Sequence, residues 1–256
     1  MINVIHYILI PFKIILFVVL IILGIYILKH TNGDSNITTL IIVFYKIVVH
    51  YLMSYNIEIS DEDYNKYMRY LYSDEKFLCV FNHISIVDGF VLLSTFPKMG
   101  FVLIKQNFFD YIYYDDVTNK KTGGIFVDIK KKTNVTSKIK DSIYNRKNGE
   151  NILFISPSEV NLPTEVENIG YFTRNGAFIS KSNILPILIK LHDNSIIYDY
   201  NNETIFESFT KLFLPENYTI KIKVGDMINA NDDESIEEYK DRVYNIMNRE
   251  YKEMKV

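Results

Sequence analysis

From Ile8 to Leu28 the chain reads ILIPFKIILFVVLIILGIYIL, 21 residues in which Lys13 is the sole charge. About 20 apolar residues is the length that crosses the hydrocarbon core of a bilayer. The run ends in Tyr26-Ile27-Leu28-Lys29-His30, with no basic start before it and no small-residue cleavage site after it. An uncleaved membrane helix is therefore expected rather than a signal peptide. The turn formers of Thr31–Asn36 break it. A second apolar stretch, Ile37 to Met53, carries Lys46 and His50 at i, i+4 on one helix face. It suits a second spanning helix, a helix lying in the interface, or a buried core helix. The division predicted is a membrane-anchoring helical hairpin over 1–58 and a further domain over 59–256. The chain would be integral or monotopic through residues 8–53, with that domain on the cytoplasmic side.

From Asp61 the pattern changes. Asp61–Ser73 is polar, with Tyr64, Met68 and Leu71 at helical spacing and Asp61 as N-cap. Short apolar runs then recur at Phe77–Phe81, Phe101–Ile104, Ile125–Val127, Ile152–Ile155, Leu185–Ile189 and Tyr218–Val224. Bounded by polar turns, they read as buried strands. Helical patterns lie between or after them at Asp88–Thr95, Thr136–Arg146, Arg174–Ser180 and Asp232–Met254, the last capped near Asp232 or Ser235. Strands alternating with helices predict an α/β fold, and a mixed, largely parallel sheet flanked by helices is the expected class. A net charge of −3 argues against a nucleic-acid binder working by bulk electrostatics. The single cysteine, Cys79, excludes an internal disulfide and leaves too few ligands for a Cys-based zinc site. No metal is expected.

The strongest local signal is Phe81-Asn82-His83-Ile84-Ser85-Ile86-Val87-Asp88-Gly89. Residues at i and i+5 do not stack on a regular helix, so His83 and Asp88 meet only if the chain turns between them. A strand end, a turn and a helix start would supply that. Asp88 would then hold the proton of one ring nitrogen and leave the other free to act as a base. An ordinary turn with a capping Asp and a surface His is the commoner meaning of such a spacing taken alone. His6, His30, His50 and His192 lack an acidic partner in a motif and are read as structural. Gly123-Gly124 precedes a strand and lacks Gly-Lys-Ser/Thr, which excludes a phosphate loop.

Further motifs follow in order. Asn82-His83-x-x-x-x-Asp88 resembles the first motif of the glycerolipid acyltransferases, the family of lysophosphatidic acid acyltransferase. Val102-Leu103-Ile104-Lys105 resembles the strand ending in Lys that follows it there. Gly123-Gly124-Ile125-Phe126-Val127-Asp128 is similar to the family's Gly-x-Ile-Phe-Ile-Asp-Arg, and Ile155-Ser156-Pro157-Ser158-Glu159 stands where the family has Phe-Pro-Glu-Gly-Thr-Arg. Phe172-Thr173-Arg174-Asn175-Gly176-Ala177 resembles Phe-Lys-x-Gly-Ala, and Leu185-Pro186-Ile187 the Pro-containing strand that closes the series. Two departures stand out: Ile129 replaces the second motif's Arg, ahead of Lys130–Lys132, and the third motif lacks its Gly and Arg. A lysine replaces a fork-shaped arginine only as a point charge, so the departures bear on the acceptor's phosphate more than on acyl transfer.

The resemblance implies a glycerol-3-phosphate acyltransferase-like fold and a membrane enzyme of phospholipid biosynthesis. It would move an acyl group from acyl-CoA or acyl carrier protein, as co-substrate, to a lysophospholipid hydroxyl, with no bound cofactor. His83 and Asp88 carry over as catalytic. Asn82, Lys105, Gly124, Asp128, Lys130, Pro157, Ser158, Glu159, Arg174 and Gly176 carry over as substrate-binding. Two other readings stay open: a serine hydrolase using Ser156 or Ser158, although no Gly-x-Ser-x-Gly elbow is present, and an inactive lipid-binding relative.

Overall fold

The computed structural model describes residues 2–30, 42–85, 87–104, 123–127, 134–159, 167–192, 204, 207, 210–213 and 218–255. Helix α1 (Ile2–His30) covers the first apolar run. Ile10, Ile14, Phe17 and Leu20 lie at helical spacing and pack on the main core, while Ile8, Phe12, Ile15, Val19, Ile22 and Tyr26 point outward. Residues 42–47 are helical and run into a π-helical turn, Val48–Leu52, in which Val48, Val49 and Leu52 are buried. Over the described residues no helix is long and apolar enough to cross a membrane. The expected pair of spanning helices therefore finds no support. The physical reason is that α1 gives one stripe to the domain, and the described part of the second stretch gives Val48, Val49, Leu52 and Met53 to the same core.

The elements that follow are β1 (Tyr55–Ile59), α2 (Asp61–Leu71), β2 (Phe77–Phe81), α3 (Asp88–Thr95), β3 (Met99–Ile104) and β4 (Ile125–Val127). After them come α4 (Val135–Tyr144), β5 (Ile152–Ile155), β6 (Asn183–Leu191), β7 (Tyr218–Val224) and α5 (Ile236–Glu253). The strands form a seven-stranded sheet in the order β1-β7-β6-β2-β5-β3-β4. All neighbours are parallel except β6 and β7. The mixed, largely parallel α/β class is thus as expected.

Both faces of the sheet are covered, as parallel strands require. On β2, Phe77, Cys79 and Phe81 join the cluster shared with α1, the π-helical turn, α2 and α3, whereas Leu78 and Val80 join the cluster under α4 and α5. Burial pushes the Cys79 thiol well above its ordinary range, which fits an inert core residue.

Several local expectations need correction. Helix α2 is capped by Ser60, whose hydroxyl accepts from Asp63 N, with Asp61 inside the first turn. Of the two caps expected for the last helix, Ser235 is the one used, in a reciprocal capping box with Glu238, so α5 starts at Ile236 and not at Asp232. The stretch 174–180 is a series of turns closed by Lys181 at φ 48°, not a helix. Its buried Ala177 and Phe178 supply an apolar pattern too short to propagate as one.

Candidate active site

Strand β2 lies in the middle of the sheet and ends at Phe81. In sheets of this kind the carboxyl ends of parallel strands carry the functional groups, because loops there diverge and leave a crevice. At Asn82 the chain leaves the ladder. The Asn82 Nδ2 donates to Ile189 O at 2.9 Å and its Oδ1 accepts from Ile189 N at 2.8 Å. His83 follows, with its Nδ1 2.7 Å from Asp88 Oδ2. The same carboxylate oxygen accepts from Ile84 N at 2.8 Å and Ser85 N at 3.2 Å.

The predicted turn between strand and helix is therefore present. Asp88 starts α3, where a negative charge faces the positive end of the helix dipole. Its side chain is 3% exposed and that of His83 32%. A carboxylate accepting from Nδ1–H fixes the tautomer that leaves a lone pair on Nε2. Among the described residues Nε2 has no hydrogen-bond partner, so the free nitrogen sits on the accessible side. The ring lies edge-on to Phe81, at 6.4 Å between centroids. Burial first, and the Asp88 carboxylate second, push the Tyr251 phenol on α5 up to about 12, so it stays neutral near pH 7.

The loop after β5 stands beside this turn. Cys79 pairs with Phe154 and Val80 with Ile155, so the next residues of the two strands continue side by side. Pro157 O accepts from Arg174 N at 3.1 Å, and Arg174 Nη2 lies 3.9 Å from Glu159 Oε1, both side chains largely exposed. A Cβ on Gly176 would lie 4.0 Å from Ile155 Cδ1, so that glycine covers the end of β5. Pro157, Ser158, Glu159, Arg174 and Gly176 are thus gathered at the edge that holds His83. Ser156 Oγ lies 3.3 Å from Ser158 Oγ, and neither hydroxyl is bonded to His83.

Other predicted residues are placed differently. Asn82 is buried, and both polar atoms of its side chain bond Ile189, so its side chain points into the sheet and not toward the site expected for it. Gly124 precedes β4, three strands from β2, and the register puts it near the level of Cys79, well short of His83. Its neighbour Gly123 holds φ +67°, and a Cβ there would lie 3.0 Å from Asn151 Cβ, so Gly123 serves a tight turn. Lys105, Asp128 and Lys130 lie outside the described residues.

Two features of the site have no counterpart in the sequence reading. Phe17 of α1 packs edge-on to Phe90 of α3 at 5.4 Å, and Tyr45 lies 5.9 Å from the same ring, so the N-terminal segments rest on the helix that carries Asp88. Asn175, next to Arg174, is held from α5 by Glu237 and Lys240. Both are long-range contacts with no local sequence signature.

No family model and no curated protein matches the chain. Among solved structures it is similar to the crystal structure of the 1-acyl-sn-glycerophosphate (LPA) acyltransferase, PlsC, from Thermotoga maritima, with a TM-score of 0.63 and 16% identity, over 100% of both chains. At that identity the likeness establishes the fold: this chain has the architecture of that acyltransferase.

Proposed function

We propose that the chain is a membrane-associated acyltransferase. It moves a fatty acyl group from acyl-CoA or acyl carrier protein to the hydroxyl of a lysophospholipid, most like a 1-acylglycerol-3-phosphate O-acyltransferase. The observation that carries the reading is the imidazole of His83, held at Nδ1 by a buried carboxylate and open at Nε2. The structural likeness to an LPA acyltransferase supports the same chemistry. So does α1, whose inner stripe rests on α3 through Phe17 and whose outward apolar residues would bring the dyad to a lipid surface.

In the reaction, Nε2 takes the proton of the acceptor hydroxyl as its oxygen attacks the thioester carbonyl carbon. The tetrahedral intermediate collapses with cleavage of the C–S bond, and the imidazolium returns a proton to the leaving thiolate. Such proton transfer supplies about 10²–10⁴-fold, so donors to the oxyanion must contribute as well. Backbone amides of the 156–159 loop are the candidates for that task. Arg174, at the same edge, is assigned to the acceptor's phosphate, with Lys105 and Lys130 as further candidates. No cofactor or metal has a step in this scheme.

Asp88→Asn should lower kcat by about 10²–10⁴-fold, because a neutral amide removes the negative charge that would stabilise the imidazolium and no longer enforces the Nδ1–H tautomer. Steady-state kinetics at saturating substrates read this, and a wild-type kcat would remove Asp88 from the mechanism. For Ser156→Ala and Ser158→Ala, most activity should remain, since neither hydroxyl touches His83. Loss of all turnover in either would transfer the case to a serine hydrolase. The decisive assay incubates the purified protein with labelled oleoyl-CoA and a panel of lysolipids. Acylated lipid is expected; release of free oleate alone would sink the proposal.

A further inference from the structure

Strand β2 ends abruptly for a strand in the middle of a sheet. Phe81 is opposite Ile187 of β6, and Ile189 is the next β6 residue whose N–H and C=O face β2. In an uninterrupted ladder the main chain of β2 would satisfy those two groups. Instead the carboxamide of Asn82 does so, donating at 2.9 Å and accepting at 2.8 Å. A carboxamide carries the donor and acceptor of a peptide group in the same plane. Asn82 thus continues the sheet with its side chain while its main chain departs. That departure frees the backbone of Ile84 and Ser85 to turn and donate to Asp88.

From this geometry we infer that Asn82 is a positioning residue: its carboxamide clamp on Ile189 fixes where the chain leaves the sheet and so where the His83 ring stands. Two anchors then hold the turn, the sheet through Asn82 and the helix through Asp88. The clamp is deeply buried, with Asn82 1% exposed, and the substrate does not reach it. The kinetic part of the inference rests on the acyl-transfer reading above; the clamp itself does not.

The test uses the full chain and three variants. In the wild type the Ile189 amide should be strongly protected from hydrogen exchange, and in Asn82→Ala it should exchange at least about tenfold faster. The same variant should lose about 10²-fold in kcat, the cost of displacing a catalytic group by about an ångström. The KM values for donor and acceptor should stay within about twofold, because no substrate contact is removed. In Asn82→Asp, a neutral carboxylic acid can both donate and accept as the amide does, whereas the carboxylate would face Ile189 O. Its kcat relative to wild type should therefore climb as the pH falls from about 8 to about 6, since burial raises a carboxyl pKa. This variant decides the matter if the alanine variant does not fold. Rapid exchange at Ile189 in the wild type overturns the clamp. A raised acceptor KM with kcat intact, or unchanged turnover despite lost protection, overturns the positioning role. If His83→Ala keeps full activity, the acyl-transfer reading fails, while exchange at Ile189 still decides the clamp.

Discussion

Replacing His83 by alanine should remove acyl transfer down to the assay background, a fall of about 10²–10⁴-fold in kcat. The substitution deletes the group whose Nε2 is open and whose Nδ1 sits 2.7 Å from Asp88 Oδ2. Asp88 would keep its two backbone donors, Ile84 N and Ser85 N, so the turn should survive the loss of the ring. Folding should be unchanged, as should vesicle binding under the proposed membrane docking, because neither the outward residues of α1 nor the Phe17–Phe90 contact involves His83. His83→Gln makes the sharper comparison, since it fills much of the space but cannot act as a base. Equal loss in both variants assigns the effect to proton transfer, and wild-type turnover in either removes His83 from the chemistry.

How much of this is legible in the sequence depends on the range of each interaction. The dyad is readable because both partners lie within one turn, with the apolar strand before them and a helix pattern after them. The centre of the sheet is readable for a similar reason: β2 and β5 are continuous apolar runs of the kind that buried parallel strands need. Strand β1 escapes the sequence reading although Tyr55-Asn56-Ile57-Glu58-Ile59 alternates, because the apolar stretch before it draws the boundary at residue 58. The docking of Phe17 on Phe90 and the clamp of Asn82 on Ile189 join residues far apart in the chain, which periodicity cannot pair. For Asn82 the motif itself misleads. Standing beside His83 suggests contact with substrate, whereas the side chain points back into the sheet.

Arg146 shows the same limit and carries the largest expected effect on stability. In the sequence it is the last residue of a helical pattern, but α4 ends at Tyr144 and Arg146 lies in the turn beyond, 5% exposed. Its Nη1 donates to Leu71 O at 3.1 Å, and its Nη2 donates to Ser73 O at 3.1 Å and Glu75 O at 3.0 Å, with Tyr70 O at 3.4 Å. The guanidinium thus closes the end of α2 and the turn that feeds β2, and it stacks 5.1 Å from the Phe77 ring. Carbonyls at a helix C-terminus have no partner within the helix, so something must satisfy them. Arg146→Met keeps the apolar stem and loses every donor. Its cost should be about 2–4 kcal/mol: Leu71 O keeps Gly149 N and Tyr70 O keeps Ser73 N, but Ser73 O and Glu75 O lose their donor, and each buried acceptor left unpaired costs roughly 1–3 kcal/mol where water does not reach it. Arg146→Lys should recover less than half, because one ammonium cannot span carbonyls that a planar fork reaches together. Urea unfolding reads both, as a lower midpoint with an unchanged slope. A loss below about 1 kcal/mol in the methionine variant would mean that water replaces the guanidinium freely. The folded fraction should retain near wild-type kcat, which separates this residue from His83: one holds up the strand on which the imidazole stands, the other is the base of the proposed reaction.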